Sequence, residues 1–336
     1  MNHQSLFVGI DGGGTHSYGV AVNEAGQVLA TAKSGSLNFH GGGLARARRS
    51  LIELVQALRS QLPAGCNFEN FVIGSAALFI DSTEAEKEEF CSGITPLPIT
   101  RLIGDCLTAY HGACLSQPGI LVIAGTGSII LVRNEAGVFS QGGGWGHIFG
   151  DAGSAWWIAL ESTKAAIADI EGLGPKTCLG ATICLFYGVK ELSEIIPVVY
   201  DASYSKDKFA ALARFLSLHA SNDEVFQDVC RRGGRDLAAQ ALATVKRANL
   251  QLDPLPLFLA GSVLDKNQFV RDSLVTEMNR ERRVKVLHAL LPPLLGAALL
   301  ALEEGGVTAK PELIETLRAS HHELVAKNHS TPNERF

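Results

Sequence analysis

The sequence predicts an α/β fold made of two related halves, and two observations lead there. The first is a repeated stretch. Residues 14–26 (GTHSYGVAVNEAG) and 125–137 (GTGSIILVRNEAG) share Gly, Thr, Ser and the NEAG tetrapeptide at a constant offset of 111, which carries Thr15 onto Thr126, Ser17 onto Ser128 and Asn23 onto Asn134. Each copy follows an apolar run, FVGID or ILVIA, and so reads as strand, tight Gly/Thr turn, strand and Asx/Gly turn. The second is the order that follows the first copy, in which helical and extended patterns alternate, as they do when helices cover the faces of a sheet. A period this long is not that of a solenoid and suggests two halves of one design. Strand–turn–strand patterns also recur without common origin, and NEAG is ordinary turn chemistry, so the repeat is weighed with the rest of the chain.

Element by element, residues 6–34 form the first hairpin and its extension. Residues 44–61 carry Leu44, Leu51, Leu54, Val55 and Leu58 on one helical face. A buried strand is expected at FVIGSAAL (71–78), a charged helix around 83–91, a strand at ITRLIGD (99–105) and a helix from about Cys106 to Leu115. The pattern restarts at 119 with the second hairpin. Helices are expected at about Gly153 to Ile170, at 205–220 and at 223–250, and a buried strand at PLPLFLAGSVL (254–264). VKVLHA reads as a short strand. PPLLGAALLALEEGG reads as a helix opened by Pro and stopped by a Gly pair. One more helix is expected at 310–327 before a frayed end, NHSTPNERF.

The chain has 336 residues, enough for two domains of ordinary size. An apolar share of 46%, with 19% charged, is that of a well-packed globular protein. The net charge of −5 gives no basic footprint for nucleic acid or an anionic membrane. The N-terminal MNHQSLFVGIDGGG has no basic n-region followed by an apolar h-region, and the longest apolar run, Ala289 to Leu302, is broken by Pro292, Pro293 and Gly296. A cytosolic location is expected. The seven cysteines (Cys66, Cys91, Cys106, Cys114, Cys178, Cys184, Cys230) form no CxxC pair and are read as buried thiols.

Six segments carry the chemistry. GIDGGGT (9–15) sets Asp11 at the end of a buried strand before three glycines. Gly13 and Gly14 let backbone N–H groups approach phosphate oxygens, Thr15 adds a hydroxyl, and Asp11 is placed to hold a Mg²⁺-bound water. A plain hairpin turn accounts for the motif equally well. AGTGS (124–128) is its second copy, and the repetition favours phosphate binding at Gly125, Thr126 and Gly127. Neither GxxxxGK[ST] nor GxGxxG occurs, which removes the main support for P-loop and dinucleotide folds. IGDCLTAYHGA (103–113) leaves Asp105 where a strand meets a helix, either as a common N-cap aspartate or as a general base at a sheet crevice. His111 is read as a helix-surface or satisfied core residue. In QGGGWGHIFGDAGSAWWI (141–158), Trp145 offers an apolar wall, Gly146 an exposed N–H and Asp151 an acceptor for hydroxyls, while Trp156 and Trp157 are assigned to the core. His147 is read as a structural residue or a ligand contact. Asn38, in SGSLNFHGGG, has both donor and acceptor capacity. Gly261 and Ser262 in LAGSV form a third strand-to-glycine turn.

DGGGTHS, IGDCLTAYHGA, IAGTGS, GGWGHIFGDAGS, FLAGSV and PPLLGAALLALE, in that order across residues 6–303, resemble the N-acetylglucosamine kinase and BadF-type ATPase family within the actin-like (sugar kinase/Hsp70/actin) superfamily. The resemblance implies two ribonuclease-H-like domains, 1–116 and 117–306, with ATP and Mg²⁺ in an interdomain cleft. The last helix (292–304) would lie near the domain junction and 307–336 would form a polar tail. It implies phosphate contacts at Gly13, Gly14, Thr15, Gly125, Thr126 and Gly127, an adenosine turn at Gly261 and Ser262, and sugar contacts at Asn38, Asp105, Thr126, Trp145, Gly146 and Asp151. It makes Asp105 the base that deprotonates a sugar 6-hydroxyl, most directly that of N-acetylglucosamine. Glucosamine, N-acetylmuramic acid and a plain hexose stay open as substrates, as do a partner-activating ATPase of the benzoyl-CoA reductase type, a non-catalytic sugar sensor and a homodimer. The sequence departs from the family's usual GDEGS at Ala152.

Overall fold

A computed structural model describes residues 4–40, 43–78, 83–91 and 99–329. The chain divides into two compact units, one formed by 1–116 with 289–336 and the other by 117–288. In the first, β1 (Gln4–Gly12), β2 (His16–Asn23) and β3 (Val28–Gly35) are followed by α1 (Leu44–Arg59), β4 (Cys66–Ser75), α2 (Glu84–Cys91), β5 (Ile99–Gly104) and α3 (Asp105–Cys114). In the second, β6 (Gly119–Ala124), β7 (Ser128–Arg133) and β8 (Phe139–Gly143) lead into α4 (Gly146–Phe149), α5 (Ala155–Ile170) and α6 (Leu179–Tyr187). A 3₁₀ turn at Leu192–Ile195, α7 (Ile196–Val199), α8 (Lys206–His219), α9 (Glu224–Ala248), β9 (Leu255–Ala260), α10 (Ser262–Lys266), α11 (Gln268–Glu281) and β10 (Val284–Leu287) complete it. The chain then returns to the first unit through α12 (Pro293–Glu304) and α13 (Pro311–His329).

The two sheets have one topology. Strand order is β3-β2-β1-β4-β5 in the first and β8-β7-β6-β9-β10 in the second. In each, the repeated hairpin supplies the antiparallel strands, and β4 and β5, or β9 and β10, add in parallel. The NEAG turns are built alike. Asn23 Oδ1 accepts from the Gln27 N–H and Asn134 Oδ1 from the Val138 N–H, both at 2.9 Å, while Gly26 (φ +79°) and Gly137 (φ +83°) take the left-handed backbone that closes the turn.

Period-two alternation along β1 sends Val8 and Ile10 to one face, packed with Leu51 and Leu54 of α1, and Phe7 to the other, packed with α12. α1 buries Ala47, Leu51, Leu54, Val55 and Leu58 at helical spacing, close to the expected face. Elsewhere the elements begin at side-chain caps: Ser154 Oγ accepts from the Trp157 N–H at 3.2 Å, and Asp223 Oδ1 from Val225 and Phe226 at 2.9 and 3.0 Å.

Three expectations are corrected. The second domain does not run to 306, because α12 seats on β1 and α3 through glycines of the first unit. A Cβ at Gly9 would overlap the backbone of Ala298, and one at Gly296 would overlap Thr108 and lie 2.6 Å from the Gly112 nitrogen. The strand expected at 254–264 stops at Ala260, because Gly261 turns the chain at φ +96° into α10. The cysteines are not uniformly buried: Cys106, Cys114 and Cys230 are, but Cys178 is exposed. The Cys91 side chain and the chain end from 330 lie outside the described residues. Among the described residues no helix is long and apolar enough to cross a membrane.

Gly296→Ala should lower stability by roughly 1–3 kcal/mol or more, as overpacking does. Gly180→Ala on α6, where a Cβ meets nothing within 4 Å, should be neutral or slightly stabilising. Urea unfolding of both variants checks this, and an unchanged midpoint for Gly296→Ala would refute the close seating of α12.

Candidate functional site

In the first unit the candidate residues gather at the C-terminal ends of β1, β4 and β5. Asp11 pairs in register with Gly74, and Ser75 with Gly104, the residue before Asp105. Gly74 is needed there: its Cβ would lie 2.7 Å from Thr108 Oγ1 and 3.2 Å from the Asp105 Cα. Asp105 is the first residue of α3, with Gly104 in the capping position and Thr108 Oγ1 donating to the Asp105 carbonyl at 2.7 Å. The Gly13–Thr15 turn between β1 and β2 presents exposed Gly14 and Thr15, and a Cβ at Gly14 would meet nothing within 4 Å. Asn38 joins this group through Ser36, whose hydroxyl donates to the Gly13 carbonyl at 3.1 Å and accepts from the Asn38 N–H at 2.9 Å. The Asn38 carbonyl oxygen Oδ1 accepts from the His40 N–H at 3.0 Å.

Two carboxylates therefore share one end of one sheet. Burial pushes the Asp11 carboxyl up to about 6. Asp105 is pushed up to about 7, by burial first and then by the like charge of Asp11, against a Cys106 N–H that favours the ionised form. No ion pair offsets either group among the described residues. Such a pair suits a divalent cation, which relieves both charges, and suits a group that exchanges a proton near neutrality. His111, further along α3, is buried and placed apart from this pair, with Nδ1 2.6 Å from Ser116 Oγ and Nε2 3.1 Å from Glu303 Oε2.

In the second unit the Gly125–Gly127 turn stands at the head of α5. Gly125 donates to the Gly127 carbonyl at 2.9 Å, and the Gly125 carbonyl accepts from the Ala155 N–H at 2.8 Å. Thr126 is exposed, and a Cβ at Gly125 would meet nothing within 4 Å. Gly261 abuts the same turn, since its Cβ would overlap Ala124, and Ser262 follows it, exposed, as the first residue of α10. Asp151, buried and at φ +60°, closes the turn from behind: Oδ1 accepts from the Ser128 N–H at 3.2 Å, and Oδ2 is 2.7 Å from the ammonium of Lys206. The expected hydroxyl acceptor thus already holds two partners of its own chain. Trp145 is 76% exposed, as are its neighbours Ile148 (74%) and Phe149 (86%), and Gly146 (φ +77°) has open space at its Cα. His147 packs against the Trp156 ring at 5.0 Å between centroids; burial lowers its pKa, with Lys206 adding to that and Asp151 opposing it.

Sequence reasoning named the glycine turns and named Asp11, Asp105 and Asn38, which the structure brings to one end of the first sheet. It missed Ser36, Gly74 and Lys206. Ser36 and Gly74 stand beside residues it named, whereas Lys206 lies in no motif, at the start of a helix far along the chain.

Two duplicated α/β units, each with a Gly/Thr turn at the end of its central hairpin, define the class of the actin-like ATPases. More narrowly, the chain belongs to the BadF/BadG/BcrA/BcrD ATPase family, whose model matches residues 8–301. It is 28% identical over 88% of its length, and 98% of the relative's, to an N-acetylmuramic acid/N-acetylglucosamine kinase of Clostridium acetobutylicum. It is 27% identical over 89% of its length, and 98% of the relative's, to an N-acetyl-D-glucosamine kinase of Dictyostelium discoideum. A solved structure from Chromobacterium violaceum, assigned as an N-acetylglucosamine kinase, is similar with a TM-score of 0.71 at 25% identity, covering 89% of this chain and 99% of that one.

The carboxylate pair makes a measurement that needs no substrate. In ¹³C NMR the Asp105 carboxyl should titrate near pH 7. In Asp11→Asn, which removes the like charge, its midpoint should fall. An Asp105 midpoint near 4, typical of an exposed Asp, would refute the burial described.

Proposed function

We propose that this protein is an ATP-dependent amino-sugar kinase that phosphorylates the 6-hydroxyl of N-acetylglucosamine. The observation that carries the reading is Asp105: a carboxyl at the head of α3, beside Asp11, with its pKa raised to about 7. Such a group takes up a proton far better than an exposed Asp and is still largely ionised just above neutrality, as a general base requires. The kinases similar over nearly their whole length support the amino sugar as substrate class.

In this mechanism the sugar hydroxyl oxygen attacks the γ-phosphorus, the bond to the ADP oxygen breaks, and the hydroxyl proton passes to the Asp105 carboxylate. Backbone N–H groups of Gly13, Gly14 and Gly127, with the Thr15 and Thr126 hydroxyls, would hold phosphate oxygens, while the Gly125 N–H closes its own turn onto the Gly127 carbonyl. The glycines bring no side chains that would crowd those oxygens. Mg²⁺, held through water by Asp11, would neutralise charge on the phosphoryl oxygens. Gly261 and Ser262 would contact adenosine. Asn38, Trp145 and Gly146 would orient the sugar, Trp145 by its exposed ring face and Asn38 by its amide, whereas both oxygens of the buried Asp151 are engaged by Ser128 and Lys206.

Release of ADP from ATP and Mg²⁺ should be stimulated many-fold by N-acetylglucosamine, with phosphosugar formed in equal amount. N-acetylmuramic acid, glucosamine and glucose are the comparison substrates. The same ADP rate without any sugar would replace this reading with that of a partner-activating ATPase.

Asp105→Asn should keep nucleotide binding and lose turnover by roughly 10²–10⁴-fold, the usual contribution of a general base. In the wild type, kcat/KM for the sugar should rise with pH as the buried Asp105 carboxyl ionises, because its protonated form accepts no proton. Near-normal turnover of the variant would remove Asp105 from this role.

A further inference from the structure

The second phosphate turn has a buried carboxylate directly behind it. Asp151 Oδ2 is the atom nearest to a Cβ built at Gly127, at 2.7 Å, and Asp151 is only 4% exposed. An anion in this position works against the proposed purpose of the turn, because it repels phosphate through little intervening water. The same oxygen, Oδ2, is also the one that Lys206 Nζ holds at 2.7 Å. Lys206 opens α8 behind the Ser205 cap, with its side chain 30% exposed. Position 152 is alanine, so this loop carries one carboxylate and Lys206 balances it one for one.

Fixing Asp151 also fixes the turn. Its Oδ1 accepts the Ser128 N–H, while Ser128 Oγ donates to the Ala152 carbonyl at 2.8 Å and the Ser128 carbonyl accepts from the Gly144 N–H at 3.1 Å. The backbone of Asp151 is itself left-handed and its carbonyl accepts from the Ser154 N–H at 3.1 Å. A carboxylate freed from its lysine would turn toward water or take up a proton, and either change would alter what the Gly125–Gly127 N–H groups face.

We propose that Lys206 is a positioning residue for nucleotide binding: its ammonium neutralises and orients Asp151, so that the Gly125–Gly127 turn offers phosphate a preorganised site without net negative charge behind it. This rests on the reading of that turn as a phosphate site. Lys206 acts here through Asp151 and not by touching the nucleotide.

The test is ADP binding by calorimetry at about pH 8, where an ordinary carboxylate is ionised, on wild type, Lys206→Met, Lys206→Arg and the double variant Lys206→Met/Asp151→Asn. Lys206→Met should weaken ADP binding roughly tenfold or more, the scale of an uncompensated charge close to an anion, and raise the KM for ATP in step while the fold persists by circular dichroism. Lys206→Arg should retain affinity. The double variant should return to within about threefold of wild type, because the Asn oxygen still accepts from Ser128 and the charge is gone. Unchanged affinity in Lys206→Met, or a double variant as weak as the single one, overturns the proposal, the latter because it would mean that Lys206 meets the phosphates itself or serves only the fold. If the wild type binds no ADP, the phosphate reading of the turn falls first and this proposal with it.

Discussion

The structure of the first unit depends on a helix that approaches closer than side chains allow. α12 rests on β1 and α3 at Gly9, Gly112 and Gly296, where a single methyl group would strike backbone. That contact brings a strongly apolar helix, with Leu295, Ala297, Ala298, Leu299, Ala301 and Leu302 all buried, onto the Phe7 face of the sheet. Each large side chain so buried contributes about 1.5–3 kcal/mol. The same contact fixes α3, and with it the direction of Asp105. The position of Asp105 and the packing of the core are therefore not separable here: the helix that Asp105 opens is held by glycines at its opposite end.

The two units treat buried carboxylates in opposite ways. In the first, Asp11 and Asp105 share one end of the sheet with no ion pair to either among the described residues, and both pKa values rise. In the second, Asp151 is paired with Lys206 and hydrogen-bonded to Ser128. An unpaired pair of acids is costly to fold and is retained where a proton or a metal ion must come and go. An acid paired with a lysine and bonded to a main-chain N–H holds backbone in place. One design of sheet thus carries a close pair of acids in one unit and a lysine-paired acid in the other.

Much of this was legible in the sequence, for a physical reason. The duplicated NEAG turns need Asn and Gly at fixed places, so the repeat survives as letters and marks the β2–β3 and β7–β8 connections. Asp105 reads by its spacing as a common helix N-cap, since a carboxylate at a strand–helix junction serves that purpose as well, and only the family resemblance favours a base there. The return of the chain at Ala289 was not legible, because the partners of Gly296 are Thr108 and Gly112, far away in sequence and undistinguished as letters. Lys206 was hidden for the same reason. Its only local mark is the serine before it, which signals a helix start and says nothing of Asp151. The strand at 254–264 was read too long because an apolar run does not reveal where a glycine turns it.

The path of the chain also orders its own assembly. The second unit is one continuous stretch, 117–288, inserted between two parts of the first. During synthesis from the N-terminus, the first unit has its sheet early but not the helix that covers the Phe7 face, which is made after the whole inserted unit. The later segment is thus complete before the earlier one, the reverse of the usual N-terminal-first order. The helix that Gly296 seats against Thr108 and Gly112 of α3 is thus the last part of that packing to be made.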